Sequence, residues 1–245
     1  MPQDPNRLFD KTSLKIFKYE GVHRDYIAHA FRWAFISTRL VKRTSRILDI
    51  GCGVDTPLVK VLSAMLALVP KSYLGVDMNK IPKKLPYKWI KFIENFNFAE
   101  KWRELSPQHF DLITCLEVVE HMNPAAVNKM LKGALNLLAD GGRLVISTPV
   151  FNGRAAKNHI NEMTVPQLHN VLDRAGFEVV DRFGTFASQP DIARVATEAE
   201  LAIVKKLKRY YTGEVVACFL APLYPDNARN NIWICKKRED NGDLL

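Results

Sequence analysis

Two short segments concentrate the side chains with which this sequence could do chemistry. One reads Glu117-Val-Val-Glu120-His121 and the other His159-Ile-Asn-Glu162. Carboxylates and imidazoles in this pattern support two chemistries. Glu117, Glu120, His121 and His159 can hold a divalent ion, Mg²⁺ or Mn²⁺, that lowers the pKa of a hydroxyl. Alternatively, His121 or His159 is a general base. The plainer reading is that Glu120 and His121 cap the helix that follows and His159 orders a loop. A third segment reads Asp49-Ile-Gly51-Cys52-Gly53-Val-Asp55. Its two glycines let the backbone turn sharply and approach a ligand closely at the end of a strand. A dinucleotide loop would want a third glycine where Thr56 stands, which disfavours NAD. The acid Asp77 follows one strand–helix–strand unit later, the spacing used in nucleotide folds.

Elements of two periods must position these groups. RILDIG (Arg46 to Gly51) is a short apolar run stopped by glycine, as in a buried parallel strand. Leu58, Val61, Leu62, Met65 and Leu66 then recur at helical spacing. Further strands are expected at Ser72 to Met78, Trp89 to Asn95, Phe110 to Glu117, Arg143 to Thr148, Phe177 to Phe183 and Asn231 to Arg238. Asn123, with Pro124 behind it, caps a helix whose stripe runs from Val127 to Leu138 and ends at Gly141-Gly142. Thr164-Val-Pro-Gln167 is a capping box opening another helix, stopped by Gly176. Before the first strand, His23 to Val41 reads as a helix, with Ile27, Phe31, Ala34 and Phe35 near helical spacing. Between the last two strands lie one long helix, Asp191 to Tyr211, and an irregular stretch. The expectation is an α/β fold: a Rossmann-like, doubly wound, seven-stranded and mostly parallel sheet with helices on both faces. Residues 1–43 would form a helical cap, and 44–245 a ligand-binding domain with a helical insertion at about 186–229.

From Arg46 to Arg238 the chain resembles the class I S-adenosylmethionine-dependent methyltransferases. ILDIGCG, Asp77, FDLITCLEVVEHM and LLADGGRLVISTP carry the resemblance. It implies that Gly51, Cys52 and Gly53 line the methionine and ribose portions of the cofactor, with Asp49 buttressing the loop. Asp77 would accept both ribose hydroxyls. Met78, Asn97 and Phe98 would lie near the adenine, and Glu117 would face cofactor and acceptor. Asp55 and Thr56 stand where many relatives have a further glycine, which leaves the detailed shape of the loop open. The ExxEH pattern is similar to that of the small-RNA 3′-terminal 2′-O-methyltransferases, which use it with a downstream histidine as metal ligands. It is similar also to the ubiquinone-pathway O-methyltransferases.

The acceptor is bounded by absences and by charge. No (D/N/S)PP(Y/F) motif, Pro-Cys dipeptide or CxxxCxxC occurs, which disfavours amino-directed DNA, cytosine-C5 and radical methylation. The chain has 35 Lys and Arg against 26 Asp and Glu, a net charge of +9. Basic residues gather in 1–46, in 80–103 and at Lys205, Lys206, Lys208 and Arg209, with Tyr26, Trp33, Tyr87 and Trp89 interleaved. A solvated basic face explains this most simply; an RNA surface is the alternative. The leading expectation is methyl transfer to an oxygen or nitrogen of a small polar or anionic molecule. The alternatives are ribose 2′-O methylation of RNA and a catalytically silent scaffold. Four dispersed cysteines, no apolar leader and no run of about 18 apolar residues fit a cytoplasmic protein without a membrane partner.

Overall fold

The computed structural model describes residues 24–64, 69–81 and 85–239. His23, Met65 and Leu66, invoked in the helical patterns above, lie outside the described residues, as does the first half of the expected N-terminal cap.

The chain divides into two compact units. The larger one, of the described residues 43–56, 70–81, 85–182 and 233–239, carries most of a seven-stranded sheet. Its strands are β1 (Arg46–Ile50), β2 (Ser72–Val76), β3 (Ile90–Ile93), β4 (Phe110–Leu116), β5 (Leu138–Pro149), β6 (Phe177–Phe186) and β7 (Asn230–Lys237), ordered β3-β2-β1-β4-β5-β7-β6. The pairings β1–β2, β1–β4, β2–β3 and β4–β5 are parallel. Order reverses between β1 and β4, so the crevice where a doubly wound sheet binds ligands opens at the C-terminal ends of these two strands. Apolar residues of the central strands, Leu48, Ile113 and Ile146 among them, are fully buried. They pack in one cluster with Met130, Leu131 and Ala134 of helix α4 (Pro124–Leu137) and Leu168 and Leu172 of α5 (Val165–Arg174). A short helix, α3 (Phe98–Lys101), and a 3₁₀ turn (Trp102–Leu105) lie between β3 and β4. Gly133 is required where α4 passes this turn, since a Cβ there would meet Trp102 at 2.6 Å.

Both expected helix starts are formed. Asn123 accepts the N–H of Ala126, and Thr164 and Gln167 form the reciprocal capping box. The end of α4 differs from expectation. The helix stops at Leu137, and Leu138 already pairs with Phe110 as the first residue of β5. Gly141 and Gly142 therefore lie inside β5, at the register shift between Phe110 and Leu112, with Gly141 at φ +70°. A glycine pair that reads as a helix stop accommodates an irregularity in a strand instead.

Of the described residues, the second unit contains 24–42, 57–64, 69 and 183–232. The N-terminal helix and the insertion, read in sequence as separate caps, fall together here with the helix that follows β1. Helix α1 (Arg24–Phe35) runs into one π turn (Ile36–Leu40), and α2 (Pro57–Ala64) buries Leu58, Val59 and Leu62. Ala28 and Arg32 of α1 are buried, whereas Ile27, Phe31 and Phe35 are half-buried and Ala34 is exposed. The single long helix expected over Asp191 to Tyr211 is instead α6 (Gln189–Ala193) and α7 (Glu198–Leu207), followed by α8 (Gly213–Leu220). The breaks are local chemistry. Ser188 with Asp191 and Thr197 with Glu200 form two full capping boxes, and Thr212 caps the third helix. Each box satisfies orphan N–H groups and fixes a new helix start. Ala187, Ile192, Ala217, Ala221 and Ala228 form one small buried cluster within this unit.

Candidate cofactor and acceptor site

The glycine loop leaves β1 on two left-handed residues, Gly51 at φ +68° and Gly53 at φ +73°. A side chain is excluded at Gly51 on steric grounds as well, because a Cβ would stand 2.5 Å from Cγ2 of Val118. The loop is tied to the neighbouring strand. The N–H groups of Gly51 and Cys52 donate to the Val76 carbonyl, and that of Gly53 donates to Oδ2 of Asp77 at 2.9 Å. The other oxygen of Asp77 accepts from the backbone and side chain of Asn79 at 2.8 and 3.1 Å. A carboxylate oxygen accepts two hydrogen bonds, so Oδ2 retains acceptor capacity beside the loop. Such a carboxylate, next to glycines that let a ligand approach the backbone, suits a ribose diol.

Asp49 and Cys52 sit behind this surface. Asp49 accepts from the Tyr73 hydroxyl and from Oγ1 of Thr114, each at 2.6 Å. Burial pushes its carboxyl up to about 6 against the opposing effect of those two hydrogen bonds, and the charge of Asp77 adds to the rise. Asp49 thus ties β1 to β2 and β4 two residues before Gly51. Burial drives the Cys52 thiol far above its usual range, so what this residue can offer a ligand is backbone. Among the expected adenine neighbours, Met78 is 67% exposed and Asn97 half-buried. Phe98 is only 4% exposed and packs in the main core cluster; it is a core residue first.

Three non-glycine residues adopt left-handed backbone: Thr56 at φ +46°, Asn95 at +53° and Glu117 at +57°. They follow β1, β3 and β4, all at the edge where the crevice opens. Strain of about 1–3 kcal/mol per residue persists only where surrounding structure imposes it. Thr56 is also buried with its hydroxyl unpartnered. Glu117 is held on both sides: its N–H donates to the Ser147 carbonyl at 2.9 Å, and its Oε1 accepts from the Ser147 hydroxyl at 2.8 Å.

The four expected metal ligands divide. Glu120, His121 and His159 each bring one donor atom within 4.8 Å of the others; Glu117 is not of this group. The Glu117 carboxylate instead accepts from the Ser147 hydroxyl on β5. Glu120 is 1% exposed and accepts from Oγ1 of Thr148 at 3.0 Å. Its carbonyl takes the N–H groups of Ile160 and Asn161, which brings the segment after β5 against the turn after β4. The rings of His121 and His159 meet edge to face at 4.9 Å.

The tautomers follow from the partners. Nδ1 of His121 lies 3.1 Å from the Asn158 carbonyl, which only accepts. Nδ1 of His159 lies 2.5 Å from Oε1 of Glu162. Both Nδ1 atoms therefore carry the proton, and in the neutral form of each ring Nε2 is the free acceptor. Hydrogen-bonded orientation of this kind is what metal-ligating and proton-accepting imidazoles require. Glu162 also accepts the Ala156 N–H. It was visible in the His159-Ile-Asn-Glu162 string, but its pairing with His159 was not assigned. The Asn158 carbonyl had no sequence signal at all.

Residues 23–182 match the profile of a family described as a methyltransferase domain. The chain is 33% identical over 116 residues to a ubiquinone biosynthesis O-methyltransferase of Aeromonas salmonicida, with 45% of each chain covered. It is 26% identical over 176 residues to the protein of the same description from Thiobacillus denitrificans, with 69% of each covered. The chain thus spans about half the length of the first of these relatives and about two thirds of the second. A methyltransferase structure from Archaeoglobus fulgidus, described as S-adenosylmethionine-dependent, superposes with a TM-score of 0.58 at 18% identity, covering 93% of this chain and 100% of that one. The 1,6-didemethyltoxoflavin N1-methyltransferase of Burkholderia thailandensis, solved with S-adenosylhomocysteine, gives 0.59 at 17% identity over 98% and 91%. At these identities the superpositions speak to the fold.

Proposed function

We propose, from the premise that this chain belongs to the class I S-adenosylmethionine-dependent methyltransferase family, that it methylates a hydroxyl oxygen of a small polar or anionic molecule. The observation that carries the reading is the pair of imidazoles of His121 and His159, oriented through Nδ1 by Asn158 and Glu162 next to Glu120. In the reaction, the acceptor oxygen forms a bond to the sulfonium methyl as the methyl–sulfur bond breaks, leaving S-adenosylhomocysteine. The hydroxyl proton goes to an imidazole Nε2. Gly51, Gly53 and Asp77 would hold the cofactor, with Asp49 and Cys52 behind them and Met78 and Asn97 toward its adenine. Glu117 would face cofactor and acceptor, and Val118, close to Gly51, joins the loop to the cluster. Alignment of the two reactants then supplies most of the acceleration. Oxygen is favoured because the named relatives are O-methyltransferases and because a neutral hydroxyl needs a proton acceptor.

The donors Glu120, His121 and His159 also suit Mg²⁺ or Mn²⁺, with oxygen and imidazole ligands and no thiolate. A cation bound there would lower the pKa of a hydroxyl ligand. Two experiments test the reading. Purified protein is incubated with methyl-labelled S-adenosylmethionine and a size-fractionated cell extract; label in low-mass, nuclease-resistant material is expected. Label in nuclease-sensitive material would overturn the small-molecule reading. Excess chelator, followed by Mn²⁺ or Mg²⁺, separates the two uses of the cluster: loss and recovery of turnover belong to a cation, full turnover to the imidazoles alone.

A further inference from the structure

A groove between α4 and α5 contains neither the glycine loop nor the Glu120–His121–His159 cluster. It holds about 620 Å³, within the range of small-molecule sites. Val127 and Leu135 of α4 and Val171 of α5 give it apolar walls, and Lys132 and Arg174 stand on the same two helices at its lip. Cations nearby are neutralised: Lys129 pairs with Glu100, and Arg238 with Asp173. Lys132 and Arg174 pair with no carboxylate among the described residues. Two unpaired positive charges over an apolar floor favour one kind of occupant.

Asn161 lines the groove from the segment preceding α5. Its Nδ2 is buried and has no hydrogen-bond partner, which is unfavourable for an amide donor. Rotation of this side chain toward an acceptor in the groove would satisfy it. The backbone N–H of Asn161 is one of the two that hold the Glu120 carbonyl. Asn161 therefore belongs both to the groove and to the segment that carries His159.

We propose that this groove is a second small-molecule site that takes an amphipathic monoanion. An aryl or alkyl body lies against Val127, Leu135 and Val171, and a carboxylate or sulfonate lies between Lys132 and Arg174. The probe is 8-anilinonaphthalene-1-sulfonate, titrated by fluorescence into the full chain saturated with S-adenosylhomocysteine, with decanoate as competitor. Saturable binding of one equivalent is expected, displaced by decanoate. The doubly reversed variant Lys132→Glu/Arg174→Glu changes two exposed side chains. It should weaken the probe at least tenfold with an unchanged melting temperature. Val171→Trp, which fills the groove, should abolish binding; if it does not fold, the charge-reversal variant decides. Hydrogen exchange at the Ile160 and Asn161 amides should slow when decanoate is bound. Absence of saturable binding, or equal affinity in the charge-reversal variant, would overturn the assignment.

Discussion

Asp49→Asn should change the pH dependence of stability more than any other single substitution at the glycine loop. The carboxyl is buried, holds two hydroxyl donors at 2.6 Å and is raised from 3.8 to about 6, chiefly by burial. The native state therefore binds this proton more tightly than the unfolded chain does. The stability linked to it is fully present below about pH 3.8 and is lost as the pH rises through about 6. At about 1.4 kcal/mol per tenfold change in proton affinity, that loss is on the order of 3 kcal/mol. Asparagine is neutral throughout this window. It keeps one oxygen acceptor, and the Tyr73 hydroxyl can turn to accept from its Nδ2. Urea unfolding of both proteins at half-unit steps from pH 4 to pH 7 gives a difference curve in which the other carboxylates cancel. The variant should gain roughly 3 kcal/mol on the wild type across the range, with the m-value unchanged. Parallel curves would refute the burial argument for Asp49.

Three further outcomes are expected. Asp77→Ala should weaken S-adenosylhomocysteine by about 2–4 kcal/mol, since hydrogen bonds to a charged group contribute roughly 1.5–3 kcal/mol each; unchanged affinity by calorimetry in a folded variant would remove Asp77 from the cofactor site. Gly51→Ala should cost about 2–4 kcal/mol of stability, part from left-handed backbone and part from the collision with Val118. Adding Val118→Ala should return only the steric part, which thermal melts of the single and double variants would measure. Glu162→Leu should lower turnover about 10–100-fold by freeing the His159 ring. Glu162→Gln keeps an acceptor for Nδ1 and should restore most of it; equal losses in the two variants would mean that Glu162 does not act through orientation.

The sheet could be read from sequence because its strands are short apolar runs, and their cores match the structure from Arg46 to Lys237. What could not be read was register. The bond between Asp49 and Thr114 exists because these residues are partners in the β1–β4 pairing, 65 positions apart in the chain. The division of Glu117 from Glu120 has the same origin. Both acids belong to one motif, but Ser147 lies beside Leu116 at the end of β5 and takes the first of them. The second unit was misread for a different reason. Helical periodicity persists across Ala196 and Thr197 even though Thr197 and Glu200 form a capping box that starts a new helix there, so a pattern of apolar residues outweighed a local signal that was present. The turn of π helix at Ile36–Leu40 left no mark that a period could detect.

The position of β7 has a consequence for how this chain is made. It lies between β5 and β6, although it follows both in the sequence. Every residue assigned to the cofactor and the acceptor is translated before Asn230, yet until β7 emerges, β5 and β6 both present unpaired edges. Bare strand edges are templates for wrong pairing, and at roughly 5–20 residues per second the interval from Phe186 to Lys237 lasts seconds. A nascent chain of this topology is therefore most vulnerable late in synthesis, when its chemistry is already encoded and its sheet is still split. Premature termination near residue 230 should yield aggregates rather than a smaller working domain.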